Sequence, residues 1–254
     1  MKKTIPVLCL SLLLFGCQTN KKLANTIMSP LNQVEEISEM QNERDEIFLL
    51  LAYSLVYNDW QPESVPRFER RGYNIGTVLV NAQNEPVYAG LNAINSTDNA
   101  TQHGEVRAIT GYLEENGGYN LKDFTVYTTL EPCIMCAGMI TMTNVKRVVI
   151  GQKDFDYSHA FERLAIDTRA VEGFPPYPRK SDIYYPNLSV SQKLDIAFAN
   201  FLKTEEEKYL ARFLSSEIAK SIFKEAENEF LNYQVKFSEN QDILTKTREF
   251  YIKS

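Results

Sequence analysis

Apolar residues crowd the segment from Ile47 to Tyr57 (I-F-L-L-L-A-Y-S-L-V-Y), just after polar Gln41 to Asp45 (Q-N-E-R-D). Within it Ile47, Leu50, Leu51, Leu55 and Val56 recur at the spacing of a helix that lays one face on a sheet. Asn74 to Asn81 (N-I-G-T-V-L-V-N) is an apolar run between polar ends and predicts a buried strand. N-A-Q-N-E (Asn81 to Glu85) predicts a hairpin turn, with Pro86 to Ile94 as the partner strand. Glu105 to Glu115 predicts a helix stopped by Gly117 and Gly118. Phe124 to Thr129 predicts a strand, Cys133 to Thr143 a helix and Arg147 to Ile150 a strand. Strand, hairpin and then strand–helix–strand is an α/β pattern with helices covering a sheet.

The last hundred or so residues read differently. V-E-G-F-P-P-Y-P-R-K (Val171 to Lys180) is a proline-rich loop that serves as a lid, a contact in a homodimer or a plain connector. T-E-E-E (Thr204 to Glu207) matches a capping box with an acidic first turn. Leu210, Phe213, Leu214, Ile218 and Ile222 follow at helical spacing, as a stripe packed on the preceding domain or, as the alternative, a groove for a partner. The chain carries no internal repeat and no Gly-rich phosphate loop.

Candidate chemistry is concentrated in two short stretches, Q-H-G-E (Gln102 to Glu105) and E-P-C-I-M-C (Glu131 to Cys136). His103, Cys133 and Cys136 offer one nitrogen and two sulfurs, the donor set of a catalytic zinc with a fourth position left for water. Zinc lowers the pKa of such a water from about 16 to about 7. Glu105 beside them is placed to move protons at such a site. The two cysteines, three apart, share one end of a helix, where the dipole favours thiolate, and Pro132 suits a first helical position. His103 and Glu105 both reach a point beyond a helix start. Gly104 between them costs the helix about 1 kcal/mol relative to Ala, which a close approach of backbone to substrate would explain. A C-x-x-C pair also serves redox chemistry. The H-x-E upstream, and the lack of Gly-Pro between the cysteines, favour zinc. His159, in D-Y-S-H-A-F-E, reads as an ordinary loop histidine.

H-x-E followed by P-C-x-x-C resembles the signature of zinc deaminases that act on nucleobases. From about Asp45 to Asp154 the chain resembles the cytidine and deoxycytidylate deaminase superfamily. T-L-E-P-C-I-M-C-A-G-M-I (Thr129 to Ile140) and R-V-V-I-G-Q-K-D (Arg147 to Asp154) are most similar to its tRNA adenosine deaminase and guanine deaminase branch. The resemblance implies an α/β three-layer sandwich, a central mixed β-sheet with helices on both faces, to which this chain adds a helical C-terminal extension. It implies Zn2+ held by His103, Cys133 and Cys136, proton transfer by Glu105, and a hydrogen bond from Asn92, in G-L-N-A, to the substrate. Asn92 also suits a turn after a strand. This chain has Gly104 where the family usually has Ala or Val, and N-A-T-Q before His103 where a proline-containing loop is usual.

The N-terminus bears on location. Met1-Lys2-Lys3 is a short basic start, and Ile5 to Phe15 is an apolar run too short to span a membrane, as in a secretory signal. L-F-G-C resembles a bacterial lipobox, which implies removal of residues 1–16 and lipid on Cys17. Gln18 after it resembles outer-membrane sorting, so the expected place is the bacterial envelope, lipid-anchored on the periplasmic side. The expected organisation is a tether over 17–40, a deaminase domain over 41–160, and a loop with helical extension over 161–254. Of four cysteines, Cys9 leaves with the leader and Cys17 carries lipid, so only Cys133 and Cys136 remain. The net charge is −6, and losing Lys2 and Lys3 makes it −8. Such a surface does not attract nucleic acid, and R-F-E-R-R (Arg67 to Arg71) is too short to reverse that and reads as a solvated loop. The expected substrate is therefore a small aminated base or nucleoside, with no nucleic acid. A nucleic-acid-directed deaminase effector and a non-catalytic nucleoside-binding lipoprotein are the competing readings.

Overall fold

The computed structural model describes residues 37–254. Residues 37–165 and 177–254 make one compact unit. The segment 166–176 groups apart from it and is irregular, with one 3-10 turn at Arg169–Val171.

Helix α1 (Glu39–Asn58) starts at Ser38, whose hydroxyl accepts from the Gln41 N–H (3.2 Å). The polar stretch Gln41 to Asp45 is thus its first turns. Asp45 is fully buried and accepts two bonds from Arg147 (2.6 Å each) and one from the Tyr127 hydroxyl (2.9 Å). From Ile47 to Val56 every residue is buried, so this stretch of α1 has no solvent face.

Strands β1 (Gly76–Val80), β2 (Pro86–Leu91), β3 (Thr125–Leu130), β4 (Arg147–Gln152) and β5 (Asp182–Tyr184) form a sheet in the order β2-β1-β3-β4-β5. β1 runs antiparallel to β2 and β3, whereas β3, β4 and β5 are parallel, so the sheet is mixed. The turn before β2 uses Asn84 in the left-handed region (φ 58°), which Asn tolerates. Two-residue alternation sends Leu79, Val126, Val148 and Ile150 to one face. There they meet α2 (Gly104–Asn116) and α3 (Ile134–Met142) through Ile109 and Ile140. Val78, Val80, Tyr127 and Val149 face the other way, onto α1. The expected three-layer sandwich is the observed one.

The C-terminal part departs from its expected pattern. Past the short helix α4 (Ala160–Leu164), Thr204 does not cap a helix start; it ends α5 (Ser189–Thr204), and its hydroxyl donates to the Asn200 carbonyl (3.2 Å). The apolar stripe is not one helix either. It breaks after α6 (Leu210–Phe213), and α7 (Glu217–Asn232) starts anew with Ser216 accepting from the Ala219 N–H (3.2 Å). Because of that restart Ile218 faces outward, 59% exposed, while Phe213, Leu214 and Ile222 are buried. Helix α8 (Gln241–Lys253) follows. Leu194, Phe223, Phe230 and Leu244 of these helices join the core of α1 and cover the side it turns away from the sheet. Burial on both sides explains why α1 reads as an unbroken apolar run.

Candidate active site

Two helix starts meet beyond the end of β3. His103 precedes α2 with an extended backbone (φ −72°, ψ 159°), and Cys133 precedes α3 likewise (φ −66°, ψ 171°). A residue in this cap position turns its side chain back over the first turn, toward the third helical residue. For Cys133 that residue is Cys136, so C-x-x-C spacing brings both sulfurs to one helix end. Pro132 therefore stands before the cap, not at the first helical position as its sequence suggests. Glu131 steadies that approach, accepting from the backbone N–H groups of Asp154 (3.2 Å) and His159 (2.9 Å).

Gly104 is likewise explained by packing and not by substrate. A β-carbon there would lie 2.9 Å from the Gly90 carbonyl oxygen and 3.2 Å from the Thr77 hydroxyl. The start of α2 rests directly on β2 and β1, so larger residues are excluded by the sheet.

The sulfurs of Cys133 and Cys136 are 3.7 Å apart, and the His103 Nδ1 lies 3.7 Å and 3.5 Å from them. A tetrahedral zinc, with bonds of about 2.3 Å to sulfur and about 2.0–2.1 Å to nitrogen, requires edges of about 3.8 Å between sulfurs and about 3.6 Å between sulfur and nitrogen. The three donor atoms already stand at that spacing. Glu105 is buried, and its Oε2 lies 3.4 Å from the Cys136 sulfur. Burial pushes the Glu105 carboxyl up from its ordinary range. The Cys133 thiol is held down, to about 4, chiefly by its hydrogen bond with Cys136, whose own thiol is pushed far up by the same pairing. The bond to Cys133 also raises His103. Three acidic groups thus compete for protons in one pocket of protein. Among the described residues no Lys or Arg bonds any of them. A dication that takes thiolate and imidazole resolves that conflict, so spacing and charge both fit zinc.

A model of the cytidine and deoxycytidylate deaminase zinc-binding region matches residues 63–152. The tRNA-specific adenosine deaminase of Buchnera aphidicola subsp. Schizaphis graminum is 31% identical over 112 residues, 44% of this chain and 68% of that protein. The chain belongs to the cytidine and deoxycytidylate deaminase family.

Other relatives of this deaminase-family chain are covered less fully. The tRNA-specific adenosine deaminase of Rickettsia bellii is 33% identical over 88 residues, 34% of this chain and 61% of that protein. The Haemophilus influenzae protein of the same name is 36% identical over 81 residues, 32% of this chain and 47% of that protein. Among solved structures, guanine deaminase from Bacillus subtilis aligns over 65% of this chain and 98% of that one, with 25% identity and a TM-score of 0.37.

The fold adds residues that the motifs of the family do not name. Thr128, on β3, faces α2 by the same alternation as Val126, and its hydroxyl bonds Glu105 Oε1 (3.1 Å). It also lies 3.0 Å from the Leu130 carbonyl and 3.3 Å from the Thr77 hydroxyl. A hydroxyl both donates and accepts. Thr128 therefore holds Glu105 when it is ionised, by donating to it, and when it is protonated, by accepting from it and donating to Leu130. Asn92 follows β2 and is fully buried. Its Oδ1 accepts from the Tyr73 N–H (3.0 Å), a tighter bond than the local turn contact to the Ile94 N–H (3.5 Å). Its Nδ2 has no partner among the described residues. The Ala93 N–H bonds the Gln102 carbonyl (2.9 Å), which sets Asn92 beside the approach to His103. His159 is exposed and takes no part in the ligand set. Cys17 lies outside the described residues. The R-F-E-R-R stretch is not a solvated loop throughout, since Arg70 and Arg71 are partly buried against backbone carbonyls of Val65 and Asn92.

Proposed function

We propose that this protein is a zinc-dependent hydrolytic deaminase of a small aminated nucleobase or nucleoside, releasing ammonia. The observation that carries the reading is the buried Glu105 carboxylate held beside three donor atoms at tetrahedral spacing. His103, Cys133 and Cys136 would hold zinc, which when bound makes a water nucleophilic at neutral pH. The rest falls to protein side chains. Water adds its oxygen to the amine-bearing ring carbon, and one of its protons goes to the neighbouring ring nitrogen. Its second proton goes to the amine, the C–N bond breaks, ammonia leaves and a carbonyl remains. Glu105 carries both protons, with Thr128 anchoring its other oxygen through each change of charge. Asn92 supplies a free N–H2 group to the base.

The net charge of −6 supports a small substrate. The relatives named tRNA-specific adenosine deaminases favour a second reading, in which the substrate is a nucleic acid. An ammonia-release screen decides between them, using adenine, guanine, cytosine, their nucleosides, tRNA and single-stranded DNA at physiological salt. The expected result is turnover of a base or nucleoside, with kcat/KM reduced about 10–100-fold in Asn92→Ala while zinc stays stoichiometric. Turnover of either polymer with none of the small compounds would install the second reading.

We also propose that lipid on Cys17 anchors the protein in the bacterial envelope, at the outer membrane. The basis is L-F-G-C with polar residues behind it. Cys17→Ala is expected to move the protein from the membrane to the soluble fraction. Absence of lipid label on wild-type Cys17 would remove the anchor.

A further inference from the structure

We propose that the segment Arg71–Tyr73 is a positioning device for Asn92, and that it makes this site select bases presenting a hydrogen-bond acceptor to that residue. The inference rests on the deaminase reading of the same site.

Three neighbours from one short segment converge on Asn92. The Arg71 guanidinium donates to the Asn92 carbonyl oxygen. Gly72 packs flat against it, since a β-carbon there would lie 2.3 Å from Oδ1 and 2.5 Å from the carbonyl oxygen. The Tyr73 N–H donates to Oδ1 (3.0 Å). A backbone N–H can only donate, so the oxygen of the Asn92 amide must face Tyr73 and the nitrogen must face away. The Asn92 N–H is itself used, on the Ile75 carbonyl (2.9 Å). What is left is Nδ2, buried and carrying two hydrogens without a partner among the described residues. A buried donor pair left in that state is costly unless a ligand satisfies it. Because the amide cannot turn over without breaking the Tyr73 bond, the ligand atom that meets it must be an acceptor, a ring nitrogen lone pair or a carbonyl oxygen.

The device is itself braced. Arg71 is only 17% exposed and is fixed by Asp59 (2.6 Å), and the Gln61 side chain accepts from the Arg71 N–H (2.7 Å). Asn74 bonds both the Gln61 carbonyl and the Leu214 carbonyl (2.8 Å each). Arg70 reaches the Ser215 hydroxyl (3.0 Å). The turn between α6 and α7 thus buttresses the segment, which gives the C-terminal helices a part in substrate recognition as well as in the core.

The test separates positioning from stability by a double-mutant cycle. Dissociation constants for adenosine, guanosine, cytidine and guanine are measured by calorimetry on the full chain carrying Glu105→Gln, in which turnover is slowed about 10²–10⁴-fold. For the tightest of the four, Arg71→Met and Asn92→Ala are each expected to weaken binding about tenfold. Arg71→Met added to Asn92→Ala should cost nothing further. Asn92→Asp, which offers only acceptors, should bind no better than Asn92→Ala. If Arg71→Met does not fold, Arg71→Gln takes its place in the cycle, since its shorter side chain cannot hold Asp59 and the Asn92 carbonyl at once. An equal loss with and without the Asn92 side chain overturns the positioning role. Binding by Asn92→Asp tenfold tighter than by Asn92→Ala overturns the acceptor rule, and so does the failure of all four ligands to bind. Failure of the deaminase reading looks different, as ligands that bind the wild-type chain through Asn92 yet release no ammonia.

Discussion

Glu105→Gln is expected to keep its zinc and its fold while ammonia release falls by about 10²–10⁴-fold. The substitution conserves shape, and a glutamine side chain still meets the Thr128 hydroxyl, which bonds Glu105 Oε1 at 3.1 Å. What it removes is a group able to take a proton and give it back. The two transfers in the reaction, to the ring nitrogen and to the departing amine, then have no carrier. The loss should lie in kcat and not in KM, because Glu105 acts on protons in flight while Asn92 holds the base. Zinc content by elemental analysis and an unchanged melting midpoint would show that the site is otherwise whole. Ammonia release at the wild-type rate would remove Glu105 from the mechanism.

The parts of this molecule that were legible in the sequence are those whose physics is local. H-G-E and P-C-I-M-C carry their chemistry in residue type and spacing, and two helix starts bring the three donors together within 4.8 Å of one another. The strands Gly76–Val80, Thr125–Leu130 and Arg147–Gln152 are apolar runs set off by polar, Gly or Pro residues, and the sheet follows them closely. Contacts made across the fold left weaker marks. Gly104 looks like a substrate contact because nothing in H-G-E reveals that Gly90 will lie against it. Arg71 looks like solvent-facing charge in R-F-E-R-R, although its guanidinium is turned inward onto Asn92. Thr128 sits in a strand of ordinary β-branched residues, and only the alternation with Val126 hints that it faces the site. In the C-terminal part, Val190, Leu194, Phe198 and Phe201 mark one face of α5 plainly enough. T-E-E-E misleads because it copies a helix start, whereas the chain uses it where a helix stops. Ser216, followed by Glu217, was the true start signal.

Cys136→Ser is expected to yield protein without zinc and with a markedly lower melting temperature. Serine fits the space, so the loss is one of chemistry, since a hydroxyl does not replace thiolate as a zinc ligand at neutral pH. Metal binding to the folded state alone adds stability by mass action, about 4 kcal/mol when free zinc stands 1,000-fold above Kd. For a domain of this size that corresponds to a fall of about 8–16 °C in the melting midpoint. The structure supplies a second reason to expect a large effect. Cys133, Cys136 and Glu105 crowd three acidic groups around His103, and the sulfurs stand 3.7 Å apart. Without a dication that cluster is held only by shared protons, and the two helix starts it joins, at His103 and Cys133, lose their common tie. Stripping the wild type with a chelator should therefore reproduce the lower midpoint of Cys136→Ser. Returning zinc should restore the wild type and leave the variant where it was. One equivalent of zinc in purified Cys136→Ser protein would sink the ligand assignment. A chelated wild type that melts no earlier than the loaded one would sink the coupling between metal and fold.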